Sequence, residues 1–315
     1  MTRAGVSESD RAASNDQPVD PAWEPAPGQR VELDGWTLNA RRLSAGASES
    51  PVLYVHGLGG SSLNFTALMR AMRDRDQIAP DLPGFGYSPP PDDGDYTPAG
   101  AARAIAALLQ RLVPGQSVHL VGNSMGGAVA VVLAEQHPHL VRSLTLLSPA
   151  LPDRRPGVMR AQVGSVALPV LGPRLARAVV QMDADRRVTA MLQMLYGDPT
   201  TATPGERAAA ASEFRRRAKL PYAEDVLVSA TRGIVAAYLE TGPNSLWRRA
   251  ARIDVPTLLV YSRHDRIVDP RQSQRAYATF RDATVRVLSG TGHVAQMERP
   301  RLVAGLLQRH LALAD

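Results

Sequence analysis

Ser117-Val118-His119-Leu120-Val121-Gly122-Asn123-Ser124-Met125-Gly126-Gly127 runs directly into Ala128-Val129-Ala130-Val131-Val132-Leu133-Ala134. The first five residues read as a buried strand and the last seven as a buried helix, so Ser124 falls on a tight turn between them. Such a turn needs glycine two residues before and two after the serine, because a side chain at either place would strike the neighbouring strand or helix. Gly127 then lets the new helix pack close. A serine on this turn has the amides of a helix N-terminus aimed at whatever it attacks, a setting suited to developing negative charge. The stretch predicts an α/β scaffold with acyl chemistry at Ser124.

A serine nucleophile requires a base and an acid to orient it, and both types occur downstream at the ends of predicted strands. Thr257 to Tyr261 is a buried-strand run that ends at Ser262-Arg263-His264-Asp265-Arg266-Ile267-Val268-Asp269-Pro270, which puts Asp265 in the loop. Val285 to Leu288 is the next strand, and it leads into Gly290-Thr291-Gly292-His293, whose glycines free the loop to swing His293 over the turn. Asp269 is a rival acid, and Asp153 a more distant one.

With Ser, Asp and His in this order, the chain resembles the α/β-hydrolase family from about Val31 to the C-terminus. The resemblance implies a mostly parallel eight-stranded sheet with helices on both faces and a helical cap inserted after strand six. It implies Ser124, Asp265 and His293 as catalytic residues. It also implies an oxyanion hole made by the backbone N–H groups of Met125 and of Leu58, which lies in His56-Gly57-Leu58-Gly59-Gly60 after the strand Pro51 to Val55. Asp81-Leu82-Pro83-Gly84-Phe85-Gly86-Tyr87-Ser88 matches the family's loop after strand four. It reads as a pocket wall or as a Pro/Gly turn that closes a connection. His56 is expected to hydrogen-bond the oxyanion loop and not to transfer protons.

Strand and helix patterns alternate from Val31 to Pro149 and again from Val255. They open with a hairpin turning at Asp34-Gly35, followed by helices near Leu63 to Met72 and Pro98 to Leu112, and strands near Gln77 to Asp81 and Ser143 to Leu147. The expected division is a disordered leader over 1–28, without hydrophobic periodicity, a core over 29–149 and 253–315, and a helical cap over 150–252. Cap helices are expected over Val163 to Met182, broken by Pro169 and Pro173, and over Val188 to Leu195, Glu206 to Lys219 and Val226 to Leu239. Lys and Arg exceed Asp and Glu by seven over 150–252, against six for the whole chain. Arg215-Arg216-Arg217 reads as a solvated face, while an inward arginine such as Arg186 or Arg187 would receive an anionic substrate. Val163 to Leu171 carries more apolar surface than a solvated lid needs, and it packs among cap helices or lines an acyl tunnel.

The 315 residues, 44% of them apolar, suffice for one catalytic domain with an insertion. Nothing in the sequence spans a bilayer or resembles a signal peptide, so the expected location is cytoplasmic, without stable membrane insertion. There is no cysteine, which removes disulfides and thiolate chemistry. No H-E-x-x-H pattern accompanies His137 and His139, so no metal is expected, and no cofactor is implied. The high pI is not joined by an aromatic-interleaved basic motif, so nucleic acid is not an expected partner. The expected partner is a small-molecule ester, with an apolar acyl chain as one option, cleaved through an acyl-enzyme. Two alternatives stand beside this reading. One is a meta-cleavage carbon–carbon bond hydrolase, which the elbow resembles although tryptophan does not follow His293. The other is a non-catalytic small-ligand receptor on the same fold.

Overall fold

The computed structural model describes residues 24–46, 50–153 and 158–315. The first 23 residues of the expected leader lie outside the described residues. Its last residues are already tied to the core, since Arg42 N–H donates to the Pro27 carbonyl and Gly28 begins the first strand.

Strands β1 (Gly28–Leu33) and β2 (Trp36–Leu43) form the antiparallel hairpin, closed by Gly35 at φ +80°, where glycine is at ease. Then come β3 (Val52–Val55), α1 (Thr66–Ala71), β4 (Gln77–Pro80), α2 (Pro98–Leu112), β5 (Val118–Asn123), α3 (Met125–Gln136) and β6 (Val141–Leu147). A helical insert follows, with α4 (Val158–Gly164), α5 (Leu171–Val180), α6 (Ala184–Leu195), α7 (Pro204–Arg217), α8 (Ala223–Leu239) and α9 (Leu246–Ala250). The chain returns through β7 (Thr257–Ser262), α10 (Gln272–Thr279), β8 (Ala283–Leu288), α11 (Ala295–Glu298) and α12 (Pro300–Ala314).

The eight strands form one sheet in the order β1-β2-β4-β3-β5-β6-β7-β8, parallel from β4 through β8. Strands β3, β5 and β7 are buried along their whole length and mostly apolar, as interior parallel strands are. Edge strand β8 instead alternates between exposed and half-buried residues. Helices α2 and α3 pack on one face, and α1 and α12 on the other. The chain leaves β3 toward one edge and β5 toward the other. A crevice therefore opens beyond their C-terminal ends, and the loops of residues 56–60 and Ser124 meet there.

The insert departs from expectation in three places. Helix α6 starts at Ala184, not Val188, because Asp183 caps the Arg186 amide and a polar first turn hides the start. Pro173 does not break α5 but sits in its first turn, where no N–H is needed. Leu168, Val170 and Leu171 are 49, 71 and 45% exposed, so they line no tunnel. Gly172, Ala176 and Val180 face inward instead, one helical turn apart, and a Cβ on Gly172 would lie 2.1 Å from the Val166 carbonyl. That close approach turns the larger apolar residues outward. No single helix among the described residues is long and apolar enough to cross a membrane. The segments Ala161–Ala167 and Leu171–Val180 reach that length only together, across a bend of 112°.

Candidate active site

Ser124 lies between β5 and α3 with φ 54° and ψ −120°, a backbone state that costs a non-glycine residue on the order of 1–3 kcal/mol. Its surroundings hold it there. Ser124 N–H donates to the Leu147 carbonyl and its own carbonyl accepts from Ala150, both at the end of β6. A Cβ on Gly126 would come within 2.1 Å of the Val55 carbonyl, and one on Gly122 within 2.4 Å of the Gly126 carbonyl. The flanking glycines are therefore demanded by close backbone approach.

Two amides near the serine lack a backbone acceptor among the described residues. Met125 opens α3, so its N–H has no partner within the helix, and no backbone carbonyl among the described residues accepts from it or from Leu58. The Leu58 loop lies against the serine, since a Cβ on Gly57 would sit 3.1 Å from Ser124 Cβ.

His293 Nδ1 lies 2.9 Å from Asp265 Oδ2, and both side chains are buried. The other oxygen of Asp265 accepts from the Ile267 and Val268 amides, each at 2.8 Å, which leaves Oδ2 for the imidazole. Burial alone would raise the Asp265 carboxyl. The charge and hydrogen bond of His293 and the two amides outweigh it and hold the group below the usual carboxylate range. Asp269 instead pairs with Arg271 at the surface, and Asp153 accepts from Gln272.

The loop bearing His293 is clamped, where the sequence suggested a free swing. His293 N–H donates to the Leu195 carbonyl at the end of α6, and a Cβ on Gly292 would lie 2.3 Å from the same carbonyl. The Glu298 carboxylate accepts from Gly292 on this loop and from Gly197 and Asp198 in the insert. Asn123 Nδ2 donates to the His293 carbonyl at 3.2 Å, binding the loop to the residue before Ser124. Asn123 is legible as part of the turn that carries Ser124, but nothing in the sequence points to Glu298, two of whose partners lie about a hundred residues away in the insert.

His56 joins the two loops beside the serine. Its Nδ1 lies 2.8 Å from the Gly57 carbonyl and its Nε2 accepts from the Leu82 amide, so the neutral ring is satisfied on both sides. Burial pushes its pKa down to about 4. The unfolded chain would take up the proton near the ordinary 6.5, while the folded chain resists it until about 4. Acid therefore favours unfolding: the His56 contribution, on the order of 3 kcal/mol, is complete above pH 6.5 and lost as pH falls through 4. His119 and His310, also lowered by burial, add in the same direction. Urea unfolding measured from pH 7 to pH 4 should show this decline, with part of the slope missing in His56→Gln. An identical slope in that variant would move the effect to the other histidines.

Arg215, Arg216 and Arg217 are not one solvated face. Only Arg215 is well exposed. Arg216 pairs with Glu213, donates to the Gly86 carbonyl and stacks on Tyr87, and Arg217 donates to the Gly59 carbonyl at 2.7 Å. Asp81 holds the loop after β4 as a tied turn, accepting from Ser62, Asn39 and Tyr87, while Gly84 and Phe85 of that loop line a small cavity under the insert. Among the described residues no His, Asp or Glu cluster could hold a metal, and His137 and His139 meet only ring to ring.

The chain belongs to the α/β hydrolase fold family, whose pattern matches residues 50–300. It is thus a hydrolase enzyme. It is similar to Lipase 1 of Psychrobacter immobilis, 27% identical over 79% of this chain and 72% of the relative. It is also similar to 2-hydroxymuconate semialdehyde hydrolase of Pseudomonas putida, 27% identical over 94% of this chain and 98% of the relative. Among solved structures, a membrane phospholipase A superposes with a TM-score of 0.75 at 22% identity, covering 91% of this chain and 86% of that one, a likeness of fold.

Proposed function

We propose that the chain is a serine hydrolase that cleaves carboxylic esters through an acyl-enzyme, with Ser124 as nucleophile, His293 as base and Asp265 as the orienting acid. The observation that carries this reading is the 2.9 Å contact of His293 Nδ1 with Asp265, on a loop bound to the residue before the strained serine. With Nδ1–H donating to the carboxylate, Nε2 keeps its lone pair free to take the Ser124 hydroxyl proton. Ser124 Oγ then bonds to the carbonyl carbon, and the Leu58 and Met125 amides receive the negative charge on its oxygen. His293 returns the proton to the departing alcohol. Water, activated by the same imidazole, releases the acid and restores the serine. The helical insert acts as a cap over the crevice.

The reading predicts that a fluorophosphonate probe labels the protein once, at Ser124, and that aryl esters are turned over repeatedly. Labelling at another residue, or capture of one acyl group without turnover, would count against it. A second reading, hydrolysis of a carbon–carbon bond, draws on the similarity to 2-hydroxymuconate semialdehyde hydrolase along nearly the full length of both chains. Cleavage of a vinylogous diketone faster than any ester would favour it.

A further inference from the structure

Arg187 on α6 and Arg217 at the end of α7 line the same cavity, about 20 Å³ in volume, closed from the core side by Gly84 and Phe85 and from the insert by Val180 and Val226. Among the described residues Arg187 has no carboxylate partner, and Arg217 shares its neighbouring carboxylates with other donors. Arg187 stacks on the Phe214 ring at 4.2 Å, and the charge it feels most is that of Arg217, which repels it. Burial, then Arg217, pushes its pKa down to about 10. Arg217 has Glu213 and Asp81 within electrostatic reach. The oxygens of Glu213 are taken by Arg216, and those of Asp81 by the Ser62 and Tyr87 amides and Asn39. Two guanidinium groups thus line one small cavity, and no carboxylate among the described residues pairs with either of them, an arrangement that an incoming oxyanion relieves.

We infer that Arg187 and Arg217 form a carboxylate subsite, so that the esters preferred by this enzyme carry a carboxylate seated beneath the helical insert. The inference rests on the ester-hydrolase reading above. The cavity holds about one water-sized group, which suits a planar carboxylate tip better than a tetrahedral phosphate. Its link to the proposed chemistry runs through Arg217. Arg217 holds the Gly59 carbonyl, and Gly59 follows Leu58, the proposed oxyanion donor. Arg217 thus stands beside the residue that follows the proposed oxyanion donor, on the loop that lies against Ser124. A guanidinium fork that meets a carboxylate bidentately adds about ten- to hundredfold in selectivity.

The test compares kcat/KM for p-nitrophenyl half-esters of succinic, glutaric and adipic acid with their methyl-capped neutral counterparts. A second arm uses carboxyphenyl acetates, which place the charge on the leaving group. Wild type should prefer the charged member of at least one pair by about tenfold or more. In Arg187→Met that ratio should collapse to about twofold or less, with Arg187→Lys between the two. Calorimetry of monomethyl glutarate on Ser124→Ala, and on the Ser124→Ala, Arg187→Met double variant, reads the subsite without chemistry. Binding lost in the double variant supports the subsite even if no ester is hydrolysed, in which case only the ester reading falls. Esters hydrolysed with no charge preference in either arm, together with anion binding equal in both variants, would overturn the subsite and leave the ester reading intact.

Discussion

Ser124→Ala should be folded, unreactive toward fluorophosphonate, and slower in ester turnover by about a thousandfold or more. The size of the loss follows from what stays behind. The proposed oxyanion donors, the Leu58 and Met125 amides, would still polarise a bound ester carbonyl, but no bond could form to carbon. Only water remains to attack, and it enters without the fixed geometry of the turn. Alanine retains the Cβ that already fits against Gly57, so the fold is not the reason for the loss. The decisive measurement is single-turnover acylation with an aryl acetate, in which wild type should show a burst and the variant none. A variant that kept its burst would transfer the chemistry to another residue.

Asp265→Asn should lower turnover on the order of ten thousandfold, while Asp269→Asn should change it by about twofold or less. Asparagine at 265 can still accept from Ile267 and Val268 through its oxygen, which turns its NH₂ toward His293. The imidazole must then accept at Nδ1 and carry its proton on Nε2, the nitrogen that should be free for the serine. The carboxylate that would stabilise the imidazolium is gone as well. Asp269, by contrast, makes a surface pair with Arg271, a contact of little energetic weight. Circular dichroism and kcat/KM on both variants decide the matter, and a steep loss at 269 with 265 unaffected would exchange the two assignments.

The sheet was legible because its inner strands are short, mostly apolar runs separated by turn residues, and α2 because Thr97 caps it and Pro98 opens it. The elbow was legible because steric demand is local: Gly122, Gly126 and Ser124 answer to atoms a few residues away or to the adjacent strand. What escaped depends on contacts across the insert. Three consecutive arginines on a helix step about 100° apart, so sequence alone does not tell which of Arg215, Arg216 and Arg217 meets water and which meets the Gly59 carbonyl. Glu298 bridges segments about a hundred residues apart and carries no motif. Helix α10 escaped for a different reason, since its run Gln272 to Thr279 is mostly polar and buries only Gln272, Ser273 and Ala276. Periodicity has little to register there.

The backbone angle at Ser124 has an evolutionary side. Glycine adopts φ 54° without penalty, so the fold by itself would be better served by glycine at the one position where the chemistry wants a hydroxyl. A lineage on this scaffold that gave up turnover would relieve this strain by drifting to glycine at that turn. On the proposed role of Ser124, the serine is a residue that the backbone by itself would not favour, kept for reaction rate at the expense of local conformational ease.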